Sequence, residues 1–594
     1  MSRPDFAVWA PRPTKLVLAI WPVTGDDPES GTPVTVAMDR DDDGWWHPAE
    51  PVPDHGAEVD YGYLLDGAQT AFPDPRSRRQ PYGVHARSRT FDAADYPWSD
   101  EQWYGRQLAG GVIYELHVGT FTREGTLVAA IERLDHLVEL GVDFVELMPV
   151  NAFDGHHNWG YDGVLWYAVQ EAYGGPRGYQ QFVDACHQRG LAVIQDVVYN
   201  HLGPLGNYLP QFGPYLVQTA SNTTWGSAIN LDAEGSDEVR RYILDNAAMW
   251  FRDFHVDGLR LDAVHALQDD RAVNILEDLA IEAGVLSASL GRPLPLIAES
   301  DLNDPRLITA REGGGYGLTA QWNDDFHHAL YVSLTGDTSG YYGDYDSLAA
   351  LSKVLSSGFY LDGTRSRFRG RTHGHPLDTI RTPTWRLVVY SDNHDQIGNR
   401  AAGERLSFMV DHQQLAIAAL VTLLNPFTTM IFMGEEWGAR TPWQFFSSYT
   451  EPELAEQVAR GRMAEFAAMD WDTSAVPDPQ DPETFERSKL DWAELETPSA
   501  IDLLELNRRL LELRREYPDL TDPRFDQAAV SFDDEQHWLV VQRGNVIIAV
   551  NFGVETIEIT LPFVVKSLLD IGEVSCTDEL AQLGPHSALV GVRS

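Results

Sequence analysis

The chain has 594 residues, of which 43% are hydrophobic, and it includes 17 Trp and 23 Tyr. A chain of this length divides into several packed domains, since a single hydrophobic core stops growing well below this size. The formal net charge of -45 excludes nucleic acid and anionic membrane surfaces as expected partners, because both are bound by basic patches.

The first stretch, MSRPDFAVWAPRPTKLVLAIWP, contains neither a long apolar segment nor a small-residue cleavage site. No run of about 18 apolar residues follows, so no membrane-spanning helix is predicted. The two cysteines, Cys186 and Cys576, stand far apart and form neither a disulfide framework nor a metal-ligand motif. We therefore expect a cytoplasmic protein.

Residues 1–100 contain the short apolar runs FAVWA, KLVLAIWP, TPVTVAM and YGYLLDG, separated by Pro, Gly and Asp. This spacing predicts an N-terminal β-sandwich domain of the kind that immunoglobulin domains and carbohydrate-binding modules share. The polar stretch 73–107, which is rich in Pro and Arg, is typical of a linker.

From Gly111 onward, apolar strands alternate with amphipathic helices, which predicts a parallel sheet covered on both faces. Eight such strands predict a closed (β/α)8 TIM barrel, which we assign to residues 101–490. Long connections at 201–236 and 326–385 follow strand ends, where a barrel builds its site. The strand sequences are, in order, GVIYELHVGTF, VDFVELMPV, LAVIQDVVYNH, VDGLRLDAVH, LPLIAES, GLTAQWNDDF, RLVVYSDNHD and TTMIFMGEEWG.

Residues 491–594 begin with a helical stretch, SAIDLLELNRRLLELRREYP, and continue as short strands. The runs HWLVVQRG, NVIIAVNFG, TIEITLPF and SALVGVR predict a C-terminal β-sandwich domain. The predicted fold class is therefore α/β, with a TIM barrel between two β domains.

Polar residues stand at the carboxyl ends of the predicted barrel strands. In this fold that face carries the active site, so polar groups there indicate catalysis more often than stability. The residues are Asp196, Asn200 and His201 after the third strand, Arg260 and Asp262 on the fourth, Glu299 at the end of the fifth, and His394 and Asp395 at the end of the seventh.

Asp262, Glu299 and Asp395 bring three carboxyl groups to this face, and glycoside hydrolysis needs two that flank the scissile bond. Arg260 shares a strand face with Asp262, and a neighbouring cation favours the ionised carboxylate. Glu299 follows the apolar run PLIA, where burial raises a carboxyl pKa and suits a general acid. The alternative, a buried ion pair that only stabilises the barrel, does not explain the other polar strand ends.

The motifs DVVYNH, GLRLDAVH, IAES and DNHD, in this order, resemble the conserved regions of the α-amylase superfamily, glycoside hydrolase family 13. The resemblance spans the barrel and extends to both β domains. It implies a retaining hydrolysis with Asp262 as nucleophile, Glu299 as general acid/base and Asp395 as transition-state stabiliser. It also implies that the sugar in the cleavage subsite contacts Tyr161 (in NWGYDG), His201, Arg260 and His394.

Further stretches narrow the resemblance within the superfamily. A β domain before the barrel is typical of branching, debranching and trehalose-releasing members. VVYNHLGPLGNYL, NHDQIGNR, FMGEEWGARTPWQFF and the DAVH motif with His265 most resemble the trehalose-releasing group. The implied substrate is an α-1,4-glucan that ends in an α,α-1,1-linked glucose pair, which is released as trehalose. A synthase that forms this trehalose end is the implied pathway partner.

Other residues flank the predicted cleft. Trp225 is a candidate platform for sugars on the leaving side, or a loop anchor. Glu436, with Glu435 and Trp437, is a candidate substrate contact, and the alternative is a solvated or helix-capping pair. Many relatives bind calcium near the third strand, but further acidic ligands are not evident beside Asp196 and Asn200, so we expect no metal and no cofactor.

Two alternatives stay open from the sequence. A 1,4-α-glucan branching or debranching enzyme would use the same barrel, and branching would transfer to a glucan hydroxyl instead of water. A glucan-binding protein without activity is the alternative of another class. Such proteins lose one or more carboxylates, whereas all three are present in this chain. The roles of two nearby carboxylates, Asp301 and Asp392, are also left open.

Overall fold

Eight parallel strands close into a barrel at the centre of the molecule. The structure is a computed structural model that describes residues 6–23, 31–52, 58–217, 227–468 and 476–594. The barrel confirms the predicted fold class. Its strands are, in chain order, Val112–Leu116, Phe144–Leu147, Ala192–Val197, Gly258–Leu261, Leu296–Ala298, Ala320–Trp322, Leu387–Val389 and Thr428–Phe432.

The barrel interior is apolar near the amino ends of the strands and charged near their carboxyl ends. Successive side chains of a strand point to opposite faces, so residues two apart share the interior. The lower, apolar group includes Ile113, Phe144, Ile194 and Met430. Two positions after the first three of these come Glu115, Glu146 and Asp196, which are all buried. The strand pattern therefore places carboxyl groups directly below the barrel mouth.

Helices cover the outside of the barrel, as the amphipathic segments predicted. The stretch LVAAIERLDHLVELG forms two short helices, Leu127–Ile131 and Leu134–Leu140, instead of one. Of the helices that the structure describes, none has the length and apolarity to cross a membrane. The longer helices are Gly175–Gln188, Ser236–Asp253, Ile275–Leu290, Asp324–Thr335, Leu348–Ser357, His412–Leu423 and Pro452–Ala468.

The N-terminal strands form one six-stranded antiparallel sheet. The following stretch, predicted as a linker, is attached to the barrel by ion pairs of Arg76 with Asp245 at 2.9 Å and of Arg79 with Glu171 at 2.9 Å. The sheet therefore sits against the barrel. Its strands are Val8–Trp9, Leu16–Pro22, Val34–Arg40, Trp45–Pro48, Val59–Leu65 and Ser88–Arg89.

The helix Pro498–Glu516 leads from the barrel to the C-terminal strands. These strands form a five-stranded and a three-stranded antiparallel sheet. The division of the chain at residues 100 and 490 stays a prediction. The C-terminal strands are Ala528–Asp533, Trp538–Arg543, Val546–Asn551, Ile557–Thr560, Val565–Ile571, Val574–Thr577, Leu580–Leu583 and Ser587–Arg593.

Candidate active site

Arg260 lies at the centre of the polar cluster at the carboxyl end of the barrel. Its guanidinium is fully buried and lies over the ring of Trp322, with 4.3 Å from Cζ to the ring centroid. Nη1 donates to Asp196 Oδ2 and to Asp262 Oδ1, each at 2.8 Å. Nη2 lies 3.8 Å from Glu299 Oε2. One cation therefore joins carboxyl groups from three successive barrel strands.

Asp262 immediately follows the fourth strand, and both of its carboxylate oxygens accept hydrogen bonds. Arg260 donates to Oδ1, and Asn200 Nδ2 donates to Oδ2 at 2.7 Å. Asn200 Nδ2 also lies 2.9 Å from the backbone carbonyl of Asp262. The next residue, Ala263, has φ 40°, a left-handed conformation that turns the chain away from the strand direction. The side chain of Asp262 is therefore held in one orientation at the mouth.

Glu299 follows the fifth strand and stands beside the same turn. Its Oε2 accepts a hydrogen bond from the backbone N–H of Ala263 at 2.6 Å. Burial raises the pKa of Glu299 to about 8, and the charges of Asp262 and Asp395 add to this effect against the opposing charge of Arg260. The raised pKa agrees with the apolar surroundings expected from the sequence PLIA.

His394 and Asp395 lie beyond the end of the seventh strand, which stops at Val389. The apolar run before them predicted that both residues end the strand. They begin instead the short helix His394–Gly398, because the side chain of Asn393 accepts the Gln396 N–H and caps a helix there. The side chain of Asp395 is 43% exposed, which makes it more open to solvent than Asp262 or Glu299.

His394 is buried below Asp395 and is held by Glu115 of the first strand. The Glu115 carboxylate accepts from the His394 backbone N–H at 3.0 Å and contacts Nδ1 at 2.5 Å. Burial lowers the pKa of His394, but Glu115 and Asp395 outweigh this effect and raise it to about 9. The imidazolium therefore faces the mouth next to Asp395.

The hydroxyl of Tyr161 connects Asp196 with His394. It donates to Asp196 Oδ2 at 2.8 Å and lies 2.8 Å from His394 Nε2, so a protonated His394 donates to Tyr161. The two rings are stacked with centroids 5.3 Å apart. His201 Nε2 lies 2.8 Å from the backbone carbonyl of Tyr161, which brings both residues to the same side of the mouth.

Of His265 and Trp225, both predicted at the cleft, the structure describes only His265. His265 is exposed on the turn Val264–Ala266, directly after Asp262 and Ala263. Trp225 lies outside the residues that the structure describes, so its predicted place in the cleft is untested.

Glu436 does not line the cleft, and its assignment as a substrate contact is wrong. Its side chain is 0% exposed. The carboxylate accepts a hydrogen bond from Tyr114 Oη at 3.0 Å and lies 2.8 Å from His136 Nε2. Tyr114 alternates along the strand with the inward residues Ile113 and Glu115, so this pairing lies on the outer face of the barrel. Neither the solvated nor the cleft position predicted for Glu436 describes this buried group.

A cavity of about 380 Å³ opens beside Glu299 and Asp395. The loops between the sixth and seventh strands supply much of its wall, including Tyr341 and Phe368, whose side chain is 53% exposed. Arg369 lines the same wall and donates to Asp301 at 2.6 Å. These three loop residues were not predicted from the sequence, where the length of the 326–385 connection was the only signal for them.

A larger depression of about 590 Å³ lies at the opposite, amino-terminal face of the barrel around Trp103 and Tyr104, away from the three carboxyl groups. Within the described ranges, no group of three or more His, Cys, Asp or Glu side chains is arranged to hold a metal ion. The expectation of no metal requirement stays a prediction.

Comparisons with known proteins agree with this architecture. A family model described as Alpha amylase, catalytic domain, matches residues 87–211. The malto-oligosyltrehalose trehalohydrolase of Rhizobium sp. (strain M-11) is 58% identical over 549 residues, covering 92% of this chain and 92% of that protein. A crystal structure from Salmonella typhimurium, described as an alpha amylase, is 34% identical with a TM-score of 0.87, covering 100% of this chain and 99% of that one.

The similarity to branching enzymes is more limited. A 1,4-alpha-glucan branching enzyme from Bacillus caldolyticus is 30% identical over 349 residues, which cover 54% of this chain and 50% of that protein. The match therefore leaves almost half of this chain uncovered.

Proposed function

The chain belongs to the malto-oligosyltrehalose trehalohydrolase family of the α-amylase superfamily, and we infer that it hydrolyses the α-1,4-glucosidic bond next to the terminal trehalose unit of maltooligosyltrehalose. The products are trehalose and a maltooligosaccharide, so the enzyme is a glycosidase of trehalose metabolism. The observation that supports this most is the 58% identity over 92% of the chain to a relative of that name. The carboxyl groups around Arg260 supply the chemistry that this reaction needs.

Asp262 is the proposed nucleophile and Glu299 the proposed general acid/base. Asp262 attacks the anomeric carbon while Glu299 protonates the oxygen that leaves with trehalose, so one C–O bond forms as the other breaks. A pKa of about 8 keeps Glu299 protonated at neutral pH. Glu299 then takes a proton from water, which attacks the same carbon and releases the maltooligosaccharide with its configuration retained.

The surrounding residues have proposed binding roles. Asp395 stabilises the positive charge that develops on the sugar ring, and it is open to the cavity. Tyr161, His201, Arg260 and His394 hold the sugar in the cleavage subsite. The cavity wall receives the leaving trehalose, because the cavity opens on the side of Glu299, from which the leaving group departs. His265 and Trp225 keep their role from the sequence as proposed contacts of the leaving sugars.

Two further expectations, on the cellular location and on the pathway partner, remain proposals. One is a cytoplasmic location. The other is action in sequence with a synthase that converts the end of an α-glucan into the trehalose unit, since the substrate needs such an enzyme to exist.

A product assay tests the proposed function. The purified protein is incubated with maltotriosyltrehalose and, separately, with maltopentaose, and the products are separated by chromatography. We expect free trehalose from the first substrate and little cleavage of the second. New α-1,6 branches in an amylose control, without trehalose, would identify a branching enzyme instead.

Asp262→Asn and Glu299→Gln test the assigned roles in the same assay. Each variant is expected to lower kcat by about 1,000-fold or more, because a transition-state interaction is lost while the fold is kept. The matched control is Asp378→Asn, which changes an exposed carboxylate on the loop before the seventh strand and keeps normal turnover. Circular dichroism checks folding, and near-normal turnover by either site variant contradicts the assignment.

A further inference from the structure

Glu146 is a buried carboxyl group that the proposed catalytic steps do not use. It lies on the second barrel strand, Phe144–Leu147, and its exposed fraction is 0%. Its side chain shares the barrel interior with Phe144, two positions earlier. Among the described residues, neither Oε1 nor Oε2 of Glu146 has a hydrogen-bond partner. A buried carboxyl group without partners is costly, so its presence needs a physical reason.

Other charged groups surround Glu146 in the barrel interior. The strand register places Glu146 opposite Glu115 on one side and Ile194 on the other. Glu115 is already bound to His394 through both of its oxygens. Asp196, two positions after Ile194, is bound to Arg260. An ionised Glu146 would therefore add a negative charge between two carboxylates that each already have a cationic partner.

The electrostatics favour a neutral carboxyl group at this position. Burial raises the pKa of Glu146 well above its usual value, and the charges of Glu115 and Asp196 raise it further, against the opposing effect of Arg260 and His394. A protonated Glu146 has one O–H to donate and oxygens that accept. Nε and Nη2 of Arg260 are likewise donors without a hydrogen-bond partner among the described residues.

We propose that Glu146 is a positioning residue of the cleavage site, protonated in the native protein and joined to Arg260 by ordered internal water. Buried water commonly satisfies such groups and makes about three hydrogen bonds. The neutral carboxyl leaves Glu115 as the carboxylate that contacts His394 Nδ1 and leaves Arg260 Nη1 directed at Asp196 and Asp262. The catalytic part of this inference rests on the proposed function, whereas the protonation of Glu146 does not.

Two substitutions separate hydrogen bonding from volume. Glu146→Leu keeps the approximate size but can neither donate nor accept, so Arg260 loses the proposed water-mediated hydrogen bond. We expect kcat to fall about tenfold or more with KM little changed, because small displacements of catalytic groups affect the transition state most. Glu146→Gln keeps a neutral donor and acceptor, and it is expected to rescue kcat to within about threefold of the wild type.

The pH profile distinguishes this role from a purely structural one. Glu146→Gln removes no charge if Glu146 is protonated, so the pH profile of kcat/KM stays in place. A displaced profile in Glu146→Gln, or wild-type kcat in Glu146→Leu, would overturn the proposal. Circular dichroism and thermal unfolding of both variants show whether they fold, and the Gln variant keeps the test decisive if the Leu variant does not.

Infrared difference spectroscopy tests the protonation without turnover. Wild type minus Glu146→Gln at neutral pH is expected to show the carbonyl stretch of one protonated carboxylic acid. A lost carboxylate band instead shows that Glu146 is ionised, and the proposal is then wrong even if trehalose is released. If the protein released no trehalose, the infrared result would stand by itself, so the two failures are distinguishable.

Discussion

Arg260 shows at the scale of one residue how the site depends on both local and distant contacts. Its pairing with Asp262 follows from the strand, because residues two apart share a face. Its second partner, Asp196, comes from the neighbouring strand and is opposite Arg260 in the register. The same guanidinium also reaches toward Glu299 on the next strand. A single buried cation thus holds carboxyl groups that the sequence separates widely.

Glu299 leads to a prediction about pH. The general acid must be protonated in the free enzyme, so kcat/KM is expected to fall about tenfold per pH unit above its pKa of about 8. The measurement is the pH profile of kcat/KM with maltotriosyltrehalose between about pH 5 and pH 10. Glu299→Gln has no proton to lose at this position, so its residual activity lacks this fall. A wild-type profile without a fall near pH 8 contradicts the assignment.

At the scale of elements, the barrel strands end earlier than the apolar runs indicated. The seventh strand covers only Leu387–Val389, and the catalytic motif lies on a turn and a capped helix after it. The fourth strand likewise ends at Leu261, and the left-handed turn at Ala263 brings its backbone N–H to Glu299. Side chains on such turns reach the mouth, whereas strand residues stay below it. The early strand ends therefore expose the catalytic groups.

The attachment of the helix Pro498–Glu516 to the barrel leads to a prediction about stability. Arg514 is 1% exposed and donates to the carbonyls of Leu423 at 2.9 Å and Phe427 at 2.6 Å, and also to Asn425. Arg514→Met leaves these carbonyls without donors, so the free energy of unfolding is expected to fall by about 3 kcal/mol or more. Urea unfolding of the transition that includes the barrel measures this change.

The matched control for this prediction lies on the same helix. Arg509 is partly exposed and pairs with Glu512 at 3.1 Å at the surface. Because surface ion pairs contribute little, Arg509→Met is expected to change the free energy of unfolding by less than about 0.5 kcal/mol. Equal effects of the two substitutions would show that Arg514 does not attach the helix to the barrel.

At the scale of the whole molecule, the net charge of -45 predicts a dependence of stability on salt. Screening weakens the mutual repulsion of the acidic groups, and its range falls to about 10 Å at 0.1 M salt. The midpoint of thermal unfolding is therefore expected to rise with NaCl, mostly below about 0.15 M. Differential scanning calorimetry measures this midpoint, and sucrose serves as an uncharged control solute. A midpoint that falls with NaCl would mean that ion pairs such as Arg76 with Asp245 outweigh the repulsion.

Contacts between distant parts of the chain explain the position of the N-terminal sheet. Arginines of the stretch that was predicted as a linker pair with two carboxylates of the barrel helix Ser236–Asp253 and with Glu171 of a nearby turn. Val84 from this stretch also packs with Ala152 and Val164 of the barrel loops. The composition of the stretch was correctly identified as polar, but only the positions of its partners show that it attaches the sheet to the barrel.

The sequence by itself determined the closed barrel, its flanking β domains and the candidate carboxylates, because strand and helix periodicity and polar strand ends are local features. Tertiary structure decided which distant groups support them. Glu115 and Glu146 are part of an apolar-looking strand pattern, and the loop residues Tyr341 and Phe368 carry no motif. Their contacts depend on strand register and loop placement, which local periodicity does not contain. Glu436 was misplaced for the same reason, because the direction of a side chain on a turn depends on the elements that pack around that turn.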